Sequence, residues 1–123
     1  MASSSADLHE SADVLGPEAI DRHRAVVSIM EELEAVDWYD QRVRASSDDE
    51  LKAILAHNRD EEKEHAAMVL EWLRRHDSAL DRQLRTYLFK DKPILENESD
   101  AEAQDSNGKG DGSLGIGSLR WKG

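Results

Sequence analysis

Between Pro17 and Asn107 the chain contains no glycine, and Pro93 is the only proline inside that stretch. Six of the seven glycines stand at or beyond Gly108, and the seventh is Gly16. A long segment without breakers, rich in Ala, Leu, Glu and Arg, specifies helix. Strands would need β-branched runs separated by turn glycines, and neither is present. The reading is therefore all-α. Pro17 suits a first helical turn, where its missing N–H costs nothing, and Glu18 and Asp21 complement the positive end of the dipole. A first helix is predicted from Pro17 to about Arg44. Ser47 followed by Glu50 forms a capping box, so a second helix is predicted from Asp48 to about His76. The short turn between them makes an antiparallel hairpin. Asp77 and Ser78 can cap a third, shorter helix whose Leu80, Leu84, Tyr87 and Leu88 share one face; Pro93 is expected to end it.

Composition limits what this hairpin can do alone. Of 123 residues, 38% are hydrophobic and 35% are charged, so a lone subunit has little apolar surface to bury and an oligomer is expected. The net charge of -11 argues against nucleic acid and against an anionic membrane surface, since both attract basic patches. The chain has no Cys, which excludes disulfides, thiolate zinc sites, iron–sulfur clusters and cysteine nucleophiles. The first residues show neither a basic start nor an apolar run, and no long apolar stretch occurs anywhere. No secretory signal or membrane span is expected, and the default compartment is the cytosol.

Polar residues interrupt both helices where a seam should be apolar. On the second helix, spacings of four and three select Leu51, Leu55, Asn58, Glu62, His65, Val69 and Trp72. On the first they select Ala25, Ile29, Glu32, Val36, Tyr39 and Val43. An ionised carboxylate in a seam costs several kcal/mol unless something offsets it. Glu32 lies 14 residues before Ser46 and Glu62 lies 16 after it. At about 1.5 Å rise per residue the two stand roughly 21 and 24 Å from the turn, at nearly one level. Glu62 and His65 are spaced i, i+3 and share a face. One helix thus offers Glu and the other Glu-x-x-His, which is half of a di-iron carboxylate constellation. Two-fold pairing of identical hairpins supplies the other half. The expected fold is a two-helix antiparallel hairpin plus a short C-terminal helix, forming a four-helix bundle by homodimerisation. Four carboxylates then balance two ferrous ions, so metal binding and pairing are thermodynamically linked. Oxygen and imidazole donors suit ferrous iron, and manganese or zinc equally by spacing alone.

Three segments carry a resemblance. Arg22-His23-Arg24-Ala25, the run from Met30 to Arg42 (Met-Glu-Glu-Leu-Glu-Ala-Val-Asp-Trp-Tyr-Asp-Gln-Arg), and the run from Leu55 to Met68 containing Asp60-Glu61-Glu62-Lys63-Glu64-His65 closely resemble the encapsulated ferritins. The match is nearly continuous over about residues 17 to 90. The resemblance implies two-helix ferritin-like subunits that dimerise to complete a ferroxidase centre, the dimers forming an open ring, typically a decamer. It implies packaging inside an encapsulin nanocompartment, here in a bacterial cytoplasm. It makes Glu32, Glu62 and His65 the iron ligands, doubled across the dimer axis, and sets Tyr39 beside the metals as a fourth catalytic group. Trp38 would flank the approach path. Glu31 and Glu34 would form a second cation site through which iron enters; read without the resemblance, they are simply a solvated charged face. Calcium, zinc or manganese are further candidates at the same or the uptake sites. The other histidines, His9, His23, His57 and His76, have no carboxylate partner in a seam and are read as structural or exposed.

The C-terminal quarter changes character. Six acids, one lysine and two alanines make up most of the segment from Glu96 to Asp111, read as an extended acidic linker. Beyond it, Leu114-Gly115-Ile116-Gly117-Ser118-Leu119-Arg120 looks like the cargo-loading peptide that encapsulin shells recognise. Leu114, Ile116 and Leu119 would be small apolar anchors, and many copies on a ring would add avidity. The expected organisation is a flexible N-terminus (1–16), a ferritin-like hairpin domain (17–92), a disordered acidic linker (93–112) and a loading peptide (113–123). The expected activity is oxidation of Fe(II) to Fe(III) by dioxygen, with the iron stored inside the shell. The alternative is a non-catalytic, metal-dependent coiled-coil adaptor of the shell. A haem bundle is disfavoured, because Met30 and Met68 are more simply core residues.

Overall fold

The structure is a computed structural model describing residues 8–107. Among them there are four helices and no strand: α1 (Ala12–Ala45), α2 (Asp49–Arg75), α3 (Ser78–Tyr87) and α4 (Ile94–Asn107). The chain divides into two compact units after Trp72. The first is built on α1 and most of α2, the second on the end of α2 with α3 and α4.

Helix α1 starts earlier than Pro17. Ser11 caps it, its hydroxyl accepting from the Val14 N–H at 3.4 Å, so the stretch expected to be flexible up to residue 16 is helical from Ala12. Gly16 then adopts φ 79°, ψ 165°, a left-handed backbone that glycine takes without a Cβ clash. The helix kinks there and runs on from Pro17. The predicted start therefore survives as the start of the main segment. Its last turn closes with the Ser46 N–H donating to the Arg42 carbonyl at 3.0 Å.

The α1–α2 turn uses a different cap from the one predicted. Asp48, not Ser47, accepts the Leu51 N–H on its Oδ1 at 2.8 Å, while the Ser46 hydroxyl takes the Asp48 N–H at 3.2 Å. A charged carboxylate at the positive helix end outcompetes a hydroxyl one residue earlier. Asp77 caps α3 as expected, accepting from Leu80 N–H at 2.9 Å. That helix ends before Pro93: Leu88 is the C-cap, and the next residue, Phe89, turns left-handed with φ 61°. This is the position that usually carries glycine in such a stop.

The largest departure is α4. The acidic segment expected to be a disordered linker over 93–112 is helical from Ile94 to Asn107. Low apolar content argued for disorder, but Glu, Ala and Gln are strong helix formers. The segment is also held from outside itself: Lys92 pairs with Asp100, Pro93 caps the first turn by accepting from the Glu96 N–H at 3.0 Å, and α4 packs on α3.

Little is buried. Ala25, Ala66 and Leu73 are the buried apolar residues among those described, and no large side chain is fully enclosed. The less exposed face of α2 holds Leu55, Asn58, Glu62, Val69 and Trp72 of the predicted seam and widens to one side of it. Ala66 is buried and Arg59 half-buried, while Leu51 and His65, expected inside, are exposed. Arg59 is held there by its pair with Asp40, and His65 stands on the rim of that face.

Candidate metal centre

Glu32 comes from α1; Glu62 and His65 come from successive turns of α2. One ligating atom from each lies within 4.8 Å of the other two, so the level-matching read from the turn is realised. His65 Nδ1 stands 3.3 Å from Glu62 Oε1 and 3.4 Å from Glu32 Oε2. The side chains of Glu32 and Glu62 are 24% and 25% exposed and that of His65 is 46% exposed. The cluster is open on one side.

Its electrostatics are those of a site short of positive charge. Glu62 hydrogen-bonds to Glu32 and raises the Glu32 carboxyl above its usual range, with burial adding to the effect. The Glu62 carboxyl is lowered, chiefly because Glu32 donates to it. The two carboxyls therefore titrate as a pair. The His65 imidazole is raised, first by its hydrogen bond to Glu62 and then by attraction to both carboxylates. Even so, Glu32 Oε2 is enclosed without a well-formed hydrogen bond, its nearest donor being His65 Nδ1 at 3.4 Å. A carboxylate oxygen left without such a bond costs about 1–3 kcal/mol. Two carboxylates and an imidazole are the hard oxygen and nitrogen donors of a divalent cation, and that oxygen is where such an ion would bond. The donor set fits.

The other predicted residues do not join this cluster. Glu31 is exposed and Glu34 half-buried, and neither belongs to a three-ligand group among the described residues. Trp38 is 48% exposed. Tyr39 is half-buried, with the Arg42 guanidinium 5.4 Å from its ring centroid, a cation–π contact. His57 sits 3.5 Å from Glu61 on the exposed face of α2. Leu114, Ile116 and Leu119 lie outside the described residues.

Sequence reasoning missed a second cross-helix contact. Arg59 NH1 donates to Asp40 at 2.9 Å and its Nε to Asp60 at 3.1 Å. The hydrogen bond from Arg59 holds the Asp40 carboxyl below its usual range. Arg59 precedes Ala66 by a heptad, and that spacing was the available signal.

A family model described as EncFtn-like matches residues 7–91. The chain belongs to the EncFtn-like family. The match contains all three residues of the cluster. The EncFtn-like chain is 60% identical over 129 residues to the encapsulated ferritin-like protein of Rhodospirillum rubrum, covering 98% of this chain and 92% of that one. It is 52% identical over 108 residues to a ferritin-like protein of Thermotoga maritima, covering 88% and 93%. A shorter stretch of 51 residues is 41% identical to the encapsulin nanocompartment cargo protein EncC of Myxococcus xanthus, covering 42% and 39%. Among solved structures, a Nitrosomonas europaea protein superposes with a TM-score of 0.68 at 63% identity, covering 71% of this chain and 96% of that one. The all-α, ferritin-like class is thereby shown. No described helix is long and apolar enough to cross a membrane.

Proposed function

We propose that this EncFtn-like protein is a ferroxidase. It takes two ferrous ions as substrate into a centre completed by two copies of the chain, and dioxygen accepts one electron from each. The observation that carries the reading is the Glu32–Glu62–His65 cluster, with an enclosed Glu32 Oε2 that only the His65 imidazole approaches. Glu32 and Glu62 would bind and bridge the ions and His65 would hold one per chain. A cation binds the deprotonated carboxylates and the neutral imidazole, so any proton these groups hold is released on binding. Tyr39 would stand near the metals and Trp38 by the approach path, with Glu31 and Glu34 forming a cation site on the way in. Manganese, zinc or calcium would compete for the same donors.

Pairing of two hairpins is supported by what one hairpin leaves uncovered. Met30 and Leu33 on α1 are 46% and 54% exposed, and Leu51, Ile54 and Met68 on α2 are exposed as well. A homodimer would cover such side chains and bring two open clusters together, and dimers would assemble further into an annular decamer. The cargo name of the Myxococcus xanthus relative supports residence in an encapsulin nanocompartment of the bacterial cytoplasm. There Leu114, Ile116 and Leu119 would dock the shell, and oxidised iron would accumulate in the shell's lumen.

The test is direct. Anaerobic protein is mixed with Fe(II), air is admitted, and oxidation is followed alongside native mass and metal content. Loss of groups that merely support metal ligands already costs about 10–100-fold, so Glu62→Ala and His65→Ala should each slow oxidation by at least about 100-fold. Wild type should hold one iron per chain in an even-numbered assembly. If both variants oxidise iron as fast as wild type, the protein is a metal-dependent adaptor and not an enzyme.

A further inference from the structure

A cavity of about 520 Å³ lies between α3 and α4. It belongs wholly to the second unit and shares no residue with the metal cluster. Four cations line it, Arg82, Arg85, Lys90 and Lys92, against two acids, Asp81 and Asp100. In a chain of net charge -11 this local excess of positive charge runs against the composition.

Both acids are already matched. Asp81 accepts from Arg74, and Arg85 Nε donates to its two oxygens at 2.9 and 3.1 Å. Asp100 pairs with Lys92. Arg85 makes those contacts through Nε alone, so its terminal amino groups stay available. Arg82 and Lys90 make no ion pair among the described residues.

The wall holds one more feature. Asn97 lines the cavity and is 4% exposed, the buried polar residue among those described. Its Nδ2 is enclosed with no hydrogen-bond partner. A buried amide donor lacking an acceptor is a standing cost, and native structures keep few of them. Cations in the lining and an unsatisfied amide donor on a lining residue call for the same thing: an anion with several acceptor oxygens, which a small shift of the Asn97 side chain would let Nδ2 reach.

We propose that this cavity binds a phosphoryl-bearing anion. A phosphate group carries about two negative charges and oxygens enough for guanidinium, ammonium and amide donors together. The volume falls within the range of small-molecule sites, so free phosphate and a phosphomonoester are both accommodated. They share the recognising chemistry and differ only in the substituent.

The experiment uses the full chain without added iron, titrated with inorganic phosphate or with AMP against chloride at matched ionic strength. Thermal melting and calorimetry provide the readouts. Wild type should bind and melt higher with at least one probe. Equal response to both points to free phosphate, and a stronger response to AMP to a phosphomonoester. Asn97→Leu should melt higher than wild type without ligand, because the orphan donor is gone, and should lose the phosphate-dependent rise. Arg82→Gln combined with Lys90→Gln alters exposed positions, keeps the fold, and should weaken binding at least about tenfold. Binding of neither probe overturns the proposal, as does binding untouched by both sets of substitutions. A crystal grown in phosphate that shows only water at Asn97 Nδ2 overturns it too. Iron oxidation should be unchanged in Asn97→Leu, so failure here is separable from failure of the ferroxidase reading.

Discussion

Two of the polar contacts that join α1 to α2 are built to opposite standards. At Asp40 and Arg59 the account closes: a carboxylate meets a guanidinium at 2.9 Å, and Asp60 takes a second donor. At Glu32, Glu62 and His65 it does not. Two carboxylates share one imidazole, and the enclosed Glu32 Oε2 makes no well-formed hydrogen bond to it. Both contacts sit in one hairpin on the same pair of helices, so the difference is not one of fold. The first contact helps fix how the helices meet. The second leaves two carboxyls close together with a single imidazole between them.

That contrast breaks most sharply on metal binding. Glu32→Ala should lower iron affinity by at least about 100-fold, measured as metal content per chain after equilibrium dialysis. Arg59→Met should leave that content at the wild-type value. If Arg59→Met strips the metal as thoroughly, the two contacts are one network and the distinction fails.

The second effect is smaller and opposite in sign for stability and binding. Glu32→Gln replaces a strained acid pair by an amide that can donate to Glu62. The metal-free protein should gain about 0.5–1.5 kcal/mol, read by denaturant unfolding, while losing its iron. A variant less stable than wild type without metal would show that the carboxylate pair is not a burden on the folded chain.

The smallest effects belong to the closed contact. Asp40 is 41% exposed, and exposed ion pairs contribute little, so Asp40→Asn should lower Tm by only a few degrees at neutral pH. Arg59 holds the Asp40 carboxyl below its ordinary value of 3.8. The contribution is therefore complete above that value and is lost as pH falls through the lower folded value. Melting curves of wild type and Asp40→Asn should converge in that acid range. A gap that persists there would mean the aspartate acts through shape and not charge.

Legibility followed the range of the forces involved. Helix content, the turn near Ser46 and the level-matching of Glu32 with Glu62 and His65 rest on local propensity and rise per residue, and the structure agrees with them. That Ala66 is buried while His65 stays exposed depends on which side chains meet across the helices, and a period of four and three does not say how far a seam widens to either side. The helix at Ile94–Asn107 was misread because composition alone cannot register Lys92 pairing with Asp100 or packing on α3. Asn97, one polar residue in an acidic run, gave no signal at all.

What the amino-acid order determined on its own was an all-helical hairpin with two carboxylates and an imidazole at one height, since backbone propensity and helix pitch act within a few residues. What only the tertiary structure decided was which oxygen lacks a well-formed hydrogen bond, which way the cluster opens, and where an amide is enclosed without an acceptor. Those properties depend on side chains distant in sequence meeting or failing to meet, and no local rule measures a missing partner.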